Sequence, residues 1–421
     1  MSKTNVSTIL SLERIYDEER NVLMLWSGSF KNNWVSILLS RTCLLAVAVF
    51  LVASSMVTGC SGSAPQVRGL KYVSSFEGGH KYQLGKLDVL VLSGTYNEMG
   101  RQYGSLMMKK LHECVAYVDK LLAQPNAPVE FIDKINSNPL NRYPERLRQI
   151  VVGMSETAGL SVKKLGSIDL NYCSAEVAWG PYTGGGPLVV GRNNDFPGLP
   201  PSSNRFSNFV IYNPSDGSMP CAFFADVGSV AADTGYNSNG LMIESNDGLE
   251  GSKPQADRML FALEMTQFMF DSANLETLCA EVSSTRPNMP QLCLVGDKGM
   301  GVSYELNFND YRRVAPVADG LVVQTNDFLD PYWGQTQSNS ATSDQRYKNL
   351  LSLANQNKGN INVPTMKKML STPMSEGGPF RPGDTVAMQV FVPATLELWI
   401  AIPNYQDWAQ VPLKALFDIG K

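Results

Sequence analysis

The chain has 421 residues, 43% of them hydrophobic, which is enough to bury a sizeable core, and a formal charge of −4. That balance, with no run of Lys and Arg, excludes a nucleic-acid-binding reading. Seven cysteines are too few for a disulfide scaffold. With no CxxC pair and no histidine cluster, no zinc site is expected, nor any other metal or organic cofactor.

Residues 1–60 read as a leader and not as part of the fold. Arg41 precedes a mostly apolar run from Leu44 to Val57, followed by Thr58-Gly59-Cys60. A basic residue, a short apolar segment and small residues at a cut site describe a secretory signal. The run is shorter than the ~18–20 residues that span a bilayer. Its end is similar to a bacterial lipobox, which makes Cys60 the expected lipidated residue and the cell envelope the expected location. Forty residues before Arg41 exceed the usual leading region, which points to a true start further along. Export implies an oxidising compartment, where Cys114, Cys221, Cys279 and Cys293 are available for pairing.

A Ser/Gly/Pro tether, Ser61–Pro65, follows. The apolar run Leu87–Leu92 ends in a turn at Ser93-Gly94, and a helix is expected over 97–122. Tyr103, Met107, Leu111, Val115, Val118 and Leu122 fall at helical spacing and form its buried stripe. His112 lies beside that stripe as a surface residue, and His80, in Gly78-Gly79-His80, reads as loop. From Cys173 onward, short apolar strands are expected over 188–190, 209–212, 241–244, 292–295, 303–306, 321–324, 386–392 and 396–402. Helices are expected over 257–270, 275–282, 344–353 and 363–370. Strand runs alternating with helix blocks imply sheets packed between helix layers. The first of those helices is rich in Met and Phe, so it reads as core, with lining of an apolar acyl pocket as the alternative.

Cys173 carries the chemical argument. After it come Ser174-Ala175, Trp179-Gly180, the turn Thr183-Gly184-Gly185-Gly186, the run Leu188-Val189-Val190, and Gly191-Arg192-Asn193-Asn194-Asp195-Phe196. The turn folds the Cys173 strand back on Leu188–Val190 as a hairpin, bringing Arg192 and Asp195 toward the start of that strand. The only two histidines, His80 and His112, lie upstream of Cys173. A thiol nucleophile usually borrows a base from histidine. A cut between Tyr172 and Cys173 supplies another base, the new α-amino group, whose reference pKa of ~7.7–8.0 suits that task. The alternative for Asn193–Pro197 is a plain polar turn.

Five segments carry a resemblance: Gly94-Thr95-Tyr96-Asn97-Glu98-Met99-Gly100-Arg101-Gln102-Tyr103-Gly104; Cys173 through Asp195; Gly235-Tyr236-Asn237-Ser238-Asn239-Gly240-Leu241 with Asn246; Gln324-Thr325-Asn326-Asp327-Phe328; and Ser343-Asp344-Gln345-Arg346. In this order they resemble the autoproteolytic acyltransferase/hydrolase family typified by acyl-coenzyme A:6-aminopenicillanic acid acyltransferase. That family belongs to the N-terminal-nucleophile hydrolases, alongside choloylglycine hydrolase and acid-ceramidase-type amidases. The resemblance implies an α+β fold, a four-layer αββα sandwich with a mainly helical pro-segment.

The resemblance also implies roles. Cys173 is the nucleophile; Asp195 orients the freed ammonium; Arg192 depresses the thiol pKa; Asn246 and Asn326 donate to the oxyanion; Arg346 stands near the active site. Asn237 reads more simply as a turn residue, and Glu305 sits where the family carries a strand glutamate of unassigned role. Self-cleavage at Tyr172-Cys173 leaves 61–172 as a lipid-tethered subunit and 173–421 as the catalytic one, a two-chain heterodimer. The expected reaction is hydrolysis of a linear amide of a small N-acyl substrate. Acyl transfer to an amine is the close alternative and a cysteine dipeptidase a remote one. A non-catalytic envelope lipoprotein and a Cys-His hydrolase using His80 or His112 are the readings from other classes.

Overall fold

A computed structural model of the chain describes residues 65–123, 140–165, 173–231, 234–248, 252–334 and 342–419. Cys60 and Tyr172, the expected lipidation site and the residue before the expected cut, lie outside the described residues. Three antiparallel strands open the fold: β1 (Lys71–Phe76), β2 (Gly79–Leu84) and β3 (Leu87–Gly94). The long helix α1 (Tyr96–Leu122) then starts on a capping box, Thr95 Oγ1 accepting from Glu98 N while Glu98 Oε2 accepts from Thr95 N. Helix α2 (Glu145–Ala158) packs on it, Gly100 lying against Ile150 and Gly104 against Met154.

From Cys173 the chain forms β4 (Ser174–Ala178), β5 (Val189–Asp195), β6 (Ser207–Pro214), β7 (Cys221–Asp226), β8 (Thr234–Asn237) and β9 (Met242–Asp247). Helices α3 (Phe261–Asp271) and α4 (Leu275–Ser284) follow. Then come β10 (Gln291–Gly296), β11 (Gly301–Leu306), β12 (Tyr311–Val314) and β13 (Leu321–Gln324). Helices α5 (Ser343–Gln356) and α6 (Val363–Ser371) lead to β14 (Thr385–Val392), β15 (Glu397–Ile402), β16 (Gln406–Val411) and the short α7 (Leu413–Phe417).

Two sheets result. The larger runs β1-β2-β3-β6-β7-β8-β9-β10-β11-β12 and the smaller β13-β4-β5-β14-β15-β16. Every pairing is antiparallel except β3 with β6, which is parallel. Alternation along the strands sorts the side chains into layers. Leu90 and Leu92 of β3 pack against α1–α4 with Met99, Leu147, Met265 and Leu278. Leu87, Val89 and Val91 of the same strand face the smaller sheet, in one cluster with its Ala175, Val177 and Phe391. The far face of that sheet, with Ala178, Val189 and Val390, is covered by Leu350 of α5 and Met366 and Leu370 of α6. The architecture is α+β, a four-layer αββα sandwich.

The expected helices and strands are present with small shifts of their ends. Two expectations change. His80 lies in β2, paired with Ser75 and Val91, because Gly78 at φ +85° makes the preceding turn and ends before it. Asn193, Asn194 and Asp195 are the last residues of β5 and not a turn, since β14 supplies a hydrogen-bonding neighbour along their length. Cys114, Cys221, Cys279 and Cys293 are free thiols. Among the described residues no helix is long and apolar enough to cross a membrane.

Candidate active site

The hairpin expected after Cys173 sets the geometry. β4 pairs antiparallel with β5, Ser174 opposite Asn193 and Ala175 opposite Arg192. The link between them turns at Gly184 and Gly185, both in the left-handed region (φ +62° and +81°), which glycine adopts without strain. Thr183 Oγ1 closes it by donating to the Gly186 carbonyl at 2.8 Å. Cys173 stands at the head of β4 with no exposed surface. The side-chain amide of Asn194 approaches its Sγ to 4.0 Å.

Arg346 ties the site together. It projects from the first turn of α5 and is fully buried. Its Nη1 donates to the Cys173 carbonyl at 2.7 Å and lies 3.7 Å from Asp195 Oδ2. Its Nη2 donates to Asn326 Oδ1 at 2.7 Å. Asn326 is held in turn: its Nδ2 donates to the Asp247 carbonyl at 2.7 Å and its backbone N–H to Ser343 Oγ at 3.0 Å. The side chains of Asp195, Asn326 and Arg346 therefore gather around the Cys173 carbonyl at the head of β4. Though it lies on a helix, Arg346 is not a surface cation but a buried one.

Asp195 accepts from Thr385 Oγ1 at 2.6 Å through Oδ1, and Arg381 Nη1 stands 4.0 Å from its Oδ2. Oδ2 accepts no hydrogen bond. Burial pushes this carboxyl up to about 6, against the pull of Arg346, Thr385 and Arg381. The same burial holds the Arg346 guanidinium below its usual value, the Asp195 charge opposing that shift.

Arg192 occupies a neighbouring station between the two sheets. It forms a buried ion pair with Glu244 of β9, and donates to Asn246 Oδ1 at 3.2 Å and to the Ser245 carbonyl at 2.8 Å. Asn246 Nδ2 donates to Gln324 Oε1 at 3.3 Å, and Gln324 Nε2 donates to Ser303 Oγ at 2.6 Å. The Arg192 charge is thus balanced by Glu244, a partner the sequence reading did not single out. A lone carboxylate in the expected apolar strand over 241–244 was the available signal. Gln389 is a second unforeseen member: it accepts from Tyr236 O–H at 2.8 Å through Oε1, and its amide meets that of Asn194 at 2.9 Å.

Asn237 is structural, as its turn reading implied. Its Oδ1 accepts from the N–H groups of Asn239 and Leu241, both at 3.1 Å, closing the β8–β9 hairpin. Glu305 gains a definite position. It accepts from the backbone N–H groups of Leu329 and Asp330 and from Trp333 Nε1, so it anchors the loop that follows Asn326. His112 Nε2 donates to the Ala158 carbonyl at 2.8 Å. The Met- and Phe-rich helix α3 packs into the helix-side core. Among the described residues no group of three His, Cys, Asp or Glu side chains is arranged to hold a metal ion.

No family model matches this sequence, and no curated protein matches it. Solved structures similar to it include an N-acylethanolamine-hydrolyzing acid amidase ortholog from Caenorhabditis elegans, 18% identical with a TM-score of 0.42, covering 57% of this chain and 100% of that one. Penicillin V acylase from Agrobacterium tumefaciens is 15% identical with a TM-score of 0.40, covering 58% and 88%. A conjugated bile acid hydrolase from Clostridium perfringens is 10% identical with a TM-score of 0.37, covering 56% and 92%.

Proposed function

We propose that this chain is a self-processing cysteine amidase of the N-terminal-nucleophile kind, acting on linear carbon–nitrogen amides of small N-acyl substrates. In the first step Cys173 Sγ attacks the Tyr172 carbonyl carbon. The bond to the Cys173 nitrogen breaks, and a thioester forms. Water opens that thioester, leaving a carboxylate on Tyr172, a free thiol and a free α-amino group on Cys173. In turnover the α-amino group takes the thiol proton and the thiolate attacks the substrate amide. The proton passes to the departing amine, and water hydrolyses the resulting acyl-thioester.

The supporting observation is the Arg346 guanidinium, one nitrogen of which touches both the Cys173 carbonyl and the Asp195 carboxylate. Asp195 Oδ2, buried without a hydrogen bond, is the acceptor suited to the ammonium released by the cut. Asn246 and Asn326 are the side-chain amides assigned to a developing oxyanion, which would have to share their N–H groups with Gln324 and with the Asp247 carbonyl, a role worth about 10²–10³ in rate per donor. The thiol has no exposed surface while the chain is continuous, which fits a latent precursor. Lipid on Cys60 would tether the upstream fragment to a bacterial envelope.

The test is intact mass with amino-terminal sequencing of the purified protein. The expected result is two fragments, the second beginning at Cys173 and the first carrying lipid on Cys60, with Cys173→Ala giving one uncut and inactive chain. An unbroken yet active wild-type chain would overturn the proposal. Supplying a candidate amine, and comparing free acid with newly formed amide, separates hydrolysis from acyl transfer.

A further inference from the structure

Arg192 and Asp195 come from one strand but serve opposite faces of it. Successive side chains of a strand alternate. Asp195 therefore meets Arg346 of α5 on the helix side, while Arg192 and Asn194 point between the sheets. There the cation is fully engaged. Its Nη1 meets the Glu244 carboxylate and Asn246 Oδ1, and its Nη2 donates to the Ser245 carbonyl at 2.8 Å. With its amide oxygen turned toward the cation, Asn194 accepts from Nε at 3.1 Å and from Nη2 at 3.2 Å. That same end of the Asn194 amide lies 4.0 Å from the Cys173 sulfur. Arg192 thus reaches the thiol through one intervening amide, and each of its nitrogens already has an acceptor.

Glu244 decides how much of that charge the sulfur meets. It has no exposed surface and stands in the middle of β9, opposite Thr234 and Leu294. A lone guanidinium one amide from a thiol favours the thiolate. A buried Arg–Glu pair leaves the same region close to neutral, and in a dry interior neither partner is tolerated without the other. The other groups facing Arg192 add no charge. Burial holds Tyr236 of β8 and Cys293 of β10 well above their usual values, with the Arg192 charge opposing the shift in each. β13 and β14 supply the uncharged amides of Gln324 and Gln389. Asp195, Arg346 and Arg381 lie together on the far face of β5.

We infer that Glu244 is a positioning residue for the reaction: it neutralises Arg192, so that Cys173 rests as a thiol and gives up its proton only to the α-amino group freed by the cut. This rests on the amidase reading and reverses the role that the resemblance gives to Arg192. In the attack the proton passes from sulfur to the α-amino lone pair. The sulfur–carbon bond forms as it does so, and the carbonyl electron pair moves to oxygen.

The experiment titrates the full chain by the ultraviolet absorbance of the thiolate, taken as the difference from the Cys173→Ala counterpart of each variant. In the wild type the midpoint is expected at or above the ordinary thiol value of ~8.5. Glu244→Gln leaves Arg192 uncompensated and should lower it by about one to three pH units. Glu244→Asp, which keeps the charge, should restore most of the difference. An unpaired buried guanidinium can unfold the chain, so the double variant Arg192→Gln/Glu244→Gln, which buries no charge there, is the second measurement. Its midpoint should return to within about half a unit of the wild type. A midpoint that moves as expected, with no turnover of N-acyl amides by the wild type, would sink the amidase reading and leave the hold of Glu244 on the thiol standing. An unchanged midpoint in folded Glu244→Gln overturns the inference. So does a wild-type midpoint well below ~8.5, or a rise of about one unit or more in the double variant, since either shows Arg192 activating the thiol uncancelled.

Discussion

Asp195 is asked to carry charge in an interior that disfavours it. Two arginines and a threonine hydroxyl surround it, yet burial wins and its carboxyl lies near 6 in the continuous chain. The consequence for activity is an acid limb. Below about pH 6 the carboxyl becomes neutral and loses its hold on Arg346 and on the freed ammonium, so self-processing should slow by about tenfold per pH unit there. Following fragment appearance by gel from pH 5 to 8 checks this, and Asp195→Asn should be slow at every pH and lack the limb. A flat wild-type profile would remove Asp195 from the reaction. The effect on stability has the other sign. The folded carboxyl is raised from 3.8, so the folded state keeps a proton that the unfolded state gives up between about pH 4 and pH 6. Stability from this group is present below that window and lost as pH rises through it.

At the scale of elements, the glycine-containing segment 94–104 has a packing explanation. Gly100 and Gly104 lie on the face of α1 that meets α2, and Gly153 answers them from α2. A Cβ on Gly100 would clash with the Ile150 carbonyl, and one on Gly153 with the Asn97 carbonyl. The two backbones are therefore in direct contact, closer than ordinary helix pairs. Gly100→Ala should force them apart and destabilise the protein by about 1–3 kcal/mol, measured by urea unfolding of the uncut chain. A change within experimental scatter would show that the two backbones do not touch along this seam. The β4–β5 hairpin is the other element with one duty. Its two strands set Ser174 opposite Asn193 and so bring Cys173 beside the Asn194 amide, and β14 holds β5 from the far side.

Across the whole molecule, the segment upstream of Cys173 is woven into the fold. Residues 64–421 form one compact unit. β3 pairs with β6 from Asp88–Asn208 to Gly94–Pro214, and its two faces feed both the helix-side core and the core between the sheets. A cut at Tyr172-Cys173 breaks one peptide bond and none of these contacts. The fragments are expected to co-elute as a single species in native size exclusion and to separate only in denaturant. Separation in native buffer would contradict the shared sheet.

Local pattern was enough for some of this. Apolar runs of four to eight residues with turns between them, the spacing along α1, and the glycine turn after Cys173 each depend on neighbours in the chain, so they were legible before any folding. β1, β12 and β16 were not, because their residues are too mixed in polarity to mark a period and are held by the strands beside them; β7 and α2 did carry local signals, an apolar run and buried residues at 147, 150, 151, 154 and 158, that the expected elements do not include. The same division runs through the site. Cys173, Asp195 and Asn326 stood out by order and spacing, but nothing local could show that Arg346 is buried against the Cys173 carbonyl. Nor could it show that Arg192 spends its charge on Glu244. Those facts depend on which residues from distant strands share a dry interior, where an unpaired charge is costly. Sequence determined which groups are available; the packing of two sheets decided which of them meet.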